Sequence, residues 1–426
     1  MKIAIIGLGY VGLPLAIEFA KSGVKVLGLD IDKSKVDKIN KGESYLKHIL
    51  NDELKTYIEN QSLVASTDLV RVQEADAVLI CVPTPLNNQR EPDLSFVLNT
   101  AEAIAPYLPK GIIVSLESTT YPGTTDDELK PVLEMGSGMK AGIDFHLVYS
   151  PEREDPGNPD SKVAVIPKVI GGFTDKCLEK GIAVYSVAVN SLVPVSSTRI
   201  AEATKLTENI FRCVNIALVN ELKMIYEKMG IDVWEVISAA KTKPFGFMPF
   251  YPGPGLGGHC IPIDPYYLSW KANNFGIDAR FIQLAGDINS AMPDYVIDRL
   301  EKAFEDHNKL IKKSKILIVG LAYKADVDDD RESPSYVFME KLESMGATTD
   351  YFDPHIPVIR PSREHSHLAG RNSIQFSSEV LSEYDAAIIL TAHADVNHEI
   401  LIDNMPIIID TRNVLSKYRN KKITKA

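Results

Sequence analysis

The chain has 426 residues, 45% hydrophobic and 24% charged, with a formal net charge of −11. That length supports a soluble globular protein of two or three domains with full-sized cores. The acidic balance, with a pI near 5.4, argues against a nucleic-acid binder.

No Lys/Arg block overrides the charge balance, and the stretch KYRNKK near the end reads as a solvated tail. Four cysteines, Cys81, Cys177, Cys213 and Cys260, stand in no CxxC or zinc spacing, which argues against a disulfide framework and points to a reducing compartment. The histidine pairs His365/His367 and His393/His398 lack acidic or thiol ligands in a recognised spacing, so they read as surface residues and no metal is expected. The opening MKIAIIGLGYVGLPLAIEFAKSG carries glycines and Glu18 that a signal peptide would lack. With no run of about 18 apolar residues, nothing is expected to span a membrane, and a cytoplasmic location follows.

Residues 2–6 form a buried-strand run, after which Gly7, Gly9 and Gly12 stand in G-x-G-x-x-G spacing around Tyr10 and Val11. A helix to about Lys21 and a second strand ending at Asp30 complete the pattern. A lone G-x-G-x-x-G is weak, but strand, glycines, helix, strand and terminal acid in that order specify a dinucleotide fold. Gly9 lets a pyrophosphate approach the backbone, and the helix N-terminus supplies N–H groups and a positive dipole end. Asp30 can accept both hydroxyls of an adenosine ribose and repels a 2′-phosphate, which favours NAD over NADP, although Lys35 lies close enough to blur the preference. The parallel sheet is expected to continue with strands in 76–85 and 111–124. Thr84, Ser118 and Thr119 follow their carboxyl ends, where ligands bind or where hydroxyls simply form turns. Residues 145–154 add a strand and bring Glu152 and Arg153 to the same rim, and 167–173 adds another.

Between about Val195 and Gly230 runs a proline-free helical pattern of over thirty residues, on the order of 50 Å long, able to connect two domains and support a dimer contact. Lys205 and Asn209, four apart, share one face and could reach a common ligand; Lys205 could equally be a solvated lysine. The loop PGPGLGGHCIPIDP, residues 252–265, follows Tyr251 and holds four glycines and four prolines, so it is neither helix nor regular strand. It presents Cys260 with His259 and Asp264 close by, a reaction-centre pattern, against the alternative of an inert buried thiol. Gly255 and Gly257 allow close backbone approach to a substrate.

From Lys315 the chain repeats itself. KILIVGLAYKA lines up with KIAIIGLGYVG, TTDYFDPH with the second strand, and EYDAAIILTAH with EADAVLICVPT. Gly9 becomes Ala322 and Gly12 becomes Ala325, so a second dinucleotide is not expected in the same mode. Instead Tyr323, Lys324, Arg331 and Arg412 gather at strand-end loops, where the cations suit phosphate oxygens. The predicted fold is α/β, two Rossmann-like doubly wound domains joined by a long central helix and a helical dimerisation region. The expected divisions are 1–195, 196–305 and 306–426.

GLGYVGLPLA, CVPTP, ESTTYPGT, SPERE, EATKLTEN, GPGLGGHC with Asp264, YKADVDDDRESP and DTRN resemble, in family order and over essentially the whole chain, the UDP-sugar 6-dehydrogenases of the UDP-glucose/GDP-mannose dehydrogenase family. The segment 241–272 looks most like the UDP-N-acetylglucosamine branch, then the UDP-N-acetylmannosamine and UDP-glucose enzymes. The resemblance implies NAD-dependent oxidation of a sugar C6 alcohol through an aldehyde to a carboxylate, in nucleotide-sugar metabolism serving polysaccharide biosynthesis, by a homodimer. It implies Cys260 as nucleophile, Asp264 and Thr119 as holders of a proton-accepting water, Lys205 and Asn209 as oxyanion donors, and Glu152 as base for thioester hydrolysis. Gly7, Gly9, Tyr10, Val11, Gly12, Asp30, Lys35, Thr84, Ser118, Thr119 and Arg331 would meet the cofactor. Glu152, Arg153, Lys205, Asn209, Tyr251, Gly255, Gly257, Tyr323, Lys324 and Arg412 would meet the substrate. One departure stands out: related enzymes carry an arginine just ahead of the glycine-rich loop, where this chain has Gly246 or Phe245, with Lys243 nearby as the candidate substitute. A simpler hydroxyacid or phosphogluconate-type dehydrogenase would need neither Cys260 nor the second wound domain. A non-catalytic NAD sensor could dispense with Lys205, Asn209 and Cys260 together.

Overall fold

The structure, a computed structural model, describes residues 1–426 apart from 47–48, 88, 154–164, 259–260 and 363–364. It divides into two compact units, 1–208 with 266–278, and 209–265 with 279–426. The division falls inside the long helix Thr198–Lys228, which the sequence predicts almost to the residue.

The first unit is built on strands β1 (Lys2–Ile6), β2 (Lys25–Leu29), β3 (Leu63–Ser66), β4 (Ala77–Ile80), β5 (Ile113–Leu116), β6 (His146–Tyr149), β7 (Lys168–Gly172) and β8 (Leu192–Val195). Their order is β3-β2-β1-β4-β5-β6-β7-β8. Apolar runs such as AVLI are buried throughout, as a sheet covered on both faces requires. One register row, Leu29–Ile6–Ile80–Leu116–Tyr149, ends the parallel strands β2, β1, β4, β5 and β6 together. The residues just past that row, Asp30, Gly7, Cys81, Glu117 and Ser150, therefore share one rim.

Two features depart from the expected continuous parallel sheet. β7 runs antiparallel to β6. The strands β3 and β8 were not foreseen: each is four residues long, and β8 contains Pro194, which is tolerated because β8 is an edge strand.

The second unit carries β9 (Lys315–Val319), β10 (Thr348–Phe352), β11 (Ala386–Ile389), β12 (Ile408–Asp410) and β13 (Ile423–Lys425), all parallel, in the order β10-β9-β11-β12-β13. β10, β9 and β11 repeat the arrangement of β2, β1 and β4, so the internal repeat is a structural one. KYRNKK is not the end of the fold, because the chain returns as the edge strand β13 and buries Ala426. His393 and His398 are also not surface residues; both are buried.

Candidate active site

In the first unit the glycines divide their work. A Cβ on Gly7, whose φ is +90°, would stand 2.6 Å from Cys81 O, and one on Gly12 would stand 1.9 Å from Gly7 O, so both serve internal packing. A Cβ on Gly9 would meet nothing within 4 Å. That open space lies at the start of helix Gly12–Lys21, whose N-cap is Val11, and the positive dipole end of a helix favours an anion. Asp30 is fixed rather than merely present: its Oδ2 accepts the Leu8 N–H at 2.8 Å, its Oδ1 accepts the Asp32 N–H at 2.9 Å, and Lys35 Nζ stands 3.7 Å away. Tyr10 packs against the apolar core behind the loop. Gly9 and Asp30 would hold the pyrophosphate and the adenosine ribose of an NAD.

The equivalent place in the second unit is already filled. Asp353, the counterpart of Asp30, accepts the N–H of Leu321 at 2.7 Å and of Ala322 at 2.8 Å, and receives His393 Nε2 at 3.0 Å. Burial works against this carboxylate, but His393 and the backbone donors hold it below the usual carboxylate range. His393 Nδ1 in turn accepts the Asp326 N–H at 3.0 Å. Although Asp326, His355 and His393 converge within 4.8 Å, both ring nitrogens of His393 are thus occupied by hydrogen bonds. This explains its burial.

At the rim of the first sheet, the Thr84 hydroxyl donates to Thr119 O at 2.8 Å and the Ser118 hydroxyl to Val82 O at 2.6 Å, tying the β4 and β5 loops together. Glu152 Oε1 accepts the Arg153 N–H at 2.6 Å. The Arg153 guanidinium forks onto Glu208 at 2.5 and 3.1 Å and donates to Pro167 O. Lys205 is buried and has no hydrogen bond or ion pair among the described residues.

Behind this rim lies a network that the sequence did not reveal. Lys168 Nζ pairs with Glu117 at 2.7 Å, donates to Pro151 O at 3.2 Å and stands 3.7 Å from Glu152. Tyr185 donates to Glu117 and pairs with Ser115 at 2.7 Å. Burial works against the Lys168 ammonium, but the charges of Glu117 and Glu152 more than offset it and hold it protonated.

The second unit holds the glycine-rich loop. Asn209 and Asp264, 55 residues apart in sequence, are joined by a hydrogen bond from the Asn209 side-chain amide, and both are buried. Gly257 lies so close to Tyr323 that a Cβ would come within 2.7 Å of it, and one on Gly253 within 2.8 Å of Arg412 Nη1. Gly255 has a φ of +125°, and the Gly258 N–H donates to Arg331 O at 3.2 Å. Gly255, Gly257, Tyr323 and Arg412 thus gather around one loop, with Lys324 adjacent in the chain. Arg331 itself is paired with Asp329 at 2.6 Å. Tyr251 stacks on Trp234, 5.7 Å between ring centroids, beside a cavity of about 400 Å³ that also touches Lys241, Asn413 and Lys425. Lys243 lies over the Phe245 ring at 4.9 Å. His259 and Cys260 fall outside the described residues.

Three further residues escaped the sequence reading. Asn220 Oδ1 accepts the Gly253 N–H at 2.9 Å while its amide donates to Asn289 at 2.9 Å. Lys223, one turn on, is buried. Glu202 accepts the N–H of Gly123 at 2.6 Å and of Thr125 at 2.8 Å. The available signal was the spacing of Asn209 and Asn220, eleven residues or three helical turns, which places them on one face.

The chain is similar to known proteins over nearly its whole length. Residues 1–189 match the NAD binding domain of the UDP-glucose/GDP-mannose dehydrogenase family, 199–291 its central domain and 317–417 its UDP binding domain. The chain is 36% identical over 396 residues to a UDP-N-acetyl-D-glucosamine 6-dehydrogenase of Pseudomonas aeruginosa, covering 93% of this chain and 91% of that one. It is 37% identical over 407 residues to a UDP-N-acetyl-D-mannosamine dehydrogenase of Escherichia coli K12, covering 92% and 93%. A solved UDP-D-ManNAc dehydrogenase from Pyrococcus horikoshii superposes with a TM-score of 0.87 at 34% identity, covering 97% and 96%. No helix among the described residues is long and apolar enough to cross a membrane. The chain belongs to the UDP-glucose/GDP-mannose dehydrogenase family and is an NAD-dependent oxidoreductase of UDP-sugars.

Proposed function

We propose that the protein oxidises the C6 alcohol of a UDP-N-acetylhexosamine, foremost UDP-N-acetylglucosamine, to the uronate in two successive NAD-dependent steps. The names of the relatives include both the glucosamine and the mannosamine epimers, at 36% and 37% identity. The preference for glucosamine rests on the residues 241–272, and UDP-N-acetylmannosamine and UDP-glucose are the alternatives. The observation that carries the reading is the Asn209–Asp264 hydrogen bond beside a glycine-rich loop seated on Tyr323 and Arg412. It gives a fixed amide donor and a carboxylate at the same loop as a phosphate-binding cation.

NAD, when bound, supplies a hydride acceptor for each step. The chain's own groups do the rest. Thr119 and Asp264 hold the water that takes the hydroxyl proton, and Lys205 and Asn209 donate to the developing oxyanion. The Cys260 thiolate adds to the aldehyde carbon, and after the second oxidation Glu152 activates the water that releases the carboxylate and regenerates the thiol. Arg412 and Lys324 hold the diphosphate, remote from C6.

The working form is proposed to be a cytoplasmic homodimer with residues 196–305 as its contact region. Phe211, Leu218 and Ile225 support this, because they repeat every seven residues on the long helix and remain exposed. The deciding experiment is NADH formation across a panel of UDP-sugars, and preference for UDP-glucose would refute the hexosamine assignment.

A further inference from the structure

Lys223 is a buried lysine with no carboxylate paired to it among the described residues. It stands one turn after Asn220 on the helix Thr198–Lys228, and its Nζ is shut off from solvent without a hydrogen-bond partner. Its Nζ lies over the Tyr295 ring, 5.5 Å from the centroid. The carboxylates around it are committed elsewhere. Glu227, on its own helix, accepts the Tyr295 hydroxyl at 2.5 Å and pairs with Arg299 at 2.5 Å, both partners lying on the helix Arg280–Asp306. Asp410, ending β12, accepts the N–H groups of Arg412, Val414 and Leu415 at 3.0, 3.3 and 2.9 Å. Arg412 then adds repulsion. Its Nε donates to Leu390 O at 2.7 Å, its Nη1 lies against Gly253, and it makes no ion pair with a described residue. The backbone of Gly253 is in turn held by Asn220, so Asn220, Gly253, Arg412 and Lys223 form one neighbourhood.

We infer that Lys223 is the proton-accepting partner of Arg412 in the phosphate site: it takes up a proton when a diphosphate seats on Arg412, so that UDP-sugar binding and proton uptake are a single event. The inference rests on the reading of Arg412 as a ligand of the substrate's phosphates. A buried ammonium costs solvation that only a nearby anion restores. In the free protein burial, then the charge of Arg412, bring Lys223 down to about 7. Arg412, lowered by burial only to about 10, stays charged at neutral pH. An anion on Arg412 offsets the repulsion and adds attraction, which favours the Lys223 ammonium. The sign follows by linkage. Where Lys223 is already protonated, affinity is level; as the pH rises past about 7, each ligand must bring a proton with it, and affinity falls by up to about tenfold per pH unit. Lys223 is thus a positioning residue for charge, acting through Arg412.

The test is calorimetric titration of the full chain with UDP-N-acetylglucosamine, whose diphosphate does not titrate near neutral pH, in the absence of NAD so that no turnover occurs. Two buffers of different ionisation enthalpy at about pH 7.5 count the protons. Wild type is expected to take up roughly half a proton per ligand, with affinity falling several-fold over the next pH unit. Lys223→Met and Lys223→Gln are each expected to bind without uptake and with affinity independent of pH across this range. Thermal melts show whether each variant is folded, and the proton count of wild type stands whatever they show. Binding by wild type without proton uptake, or undiminished uptake in either folded variant, overturns the inference alone. If neither UDP-N-acetylglucosamine, its mannosamine epimer nor UDP-glucose binds wild type, the substrate reading itself fails and takes this inference with it.

Discussion

Asn209 donates its side-chain amide to the carboxylate of Asp264, a bond closed across 55 residues between the long helix and the first residue of helix Asp264–Asn273. The bond fixes which way the Asn209 amide faces and leaves its second N–H for another acceptor. Asn209→Ala is therefore expected to lower kcat by about 100-fold or more, the cost typical of a lost oxyanion donor. KM for NAD should stay near wild type, because the Gly7–Gly12 loop is a separate construction. Steady-state NADH formation measures both, and a kcat within threefold of wild type (roughly 0.7 kcal/mol) would remove Asn209 from the chemistry.

Asp30 is proposed to set the choice between NAD and NADP. Its two oxygens are already engaged by Leu8 and Asp32 N–H groups, so the carboxylate cannot swing away from a 2′-phosphate. NAD should be preferred over NADP by about 100-fold or more in kcat/KM, since a buried like-charge contact costs several kcal/mol. Asp30→Ser should narrow the gap, with Lys35 left unopposed to meet the phosphate. Equal use of both cofactors by wild type would sink the assignment.

Much of this architecture is local in sequence and therefore readable. Gly7, Gly9, Gly12 and Asp30 lie within one strand-turn-helix-strand unit, and KILIVGLAYKA and EYDAAIILTAH repeat KIAIIGLGYVG and EADAVLICVPT, so both wound domains can be recognised from the sequence. The long helix announces itself by length. What stayed hidden depends on distance or brevity. β3 and β8 offer only four residues each, and the reversal of β7 leaves no trace in KVIGG. Glu117 and Lys168 are 51 residues apart, and neither sequence context shows that a charge is buried. Lys223 sits in a polar helical stretch where a lysine ordinarily reads as solvated; only the surrounding Glu227, Tyr295, Arg299, Asp410 and Arg412 show otherwise. His393 was misread because the burial of a histidine is set by partners such as Asp353, far away in the chain.

The Glu117–Lys168 pair gives a stability prediction. Both side chains are almost fully buried, so removing one partner strands the other charge. Lys168→Met should destabilise the first unit by about 3–5 kcal/mol. The double variant Glu117→Gln/Lys168→Met, which removes both charges, should recover a large part of that loss. Denaturant melts of the four proteins form a double-mutant cycle. Additive effects in that cycle would mean that the pair is not coupled.

Cys260 is proposed to carry the second oxidation, because a covalent thiohemiacetal keeps the aldehyde carbon in place to give up another hydride. Wild type should then form two NADH per sugar and release no aldehyde. Cys260→Ala should lose uronate formation by several orders of magnitude, since removing one member of a unit that acts together costs nearly the whole effect. It should still bind NAD, because the proposed cofactor cradle is built on the Gly7–Gly12 loop and Asp30. Cys260→Ser should stall as a slow ester or leak traces of aldehyde. Thiol alkylation gives an independent check. Cys177 and Cys213 are buried, and burial pushes the Cys81 and Cys213 thiols up, so all three should be slow to react at neutral pH. The label should therefore map first to Cys260, and UDP-sugar should protect it. Near wild-type conversion to the uronate by Cys260→Ala would end the covalent mechanism and return Cys260 to the role of an inert small side chain.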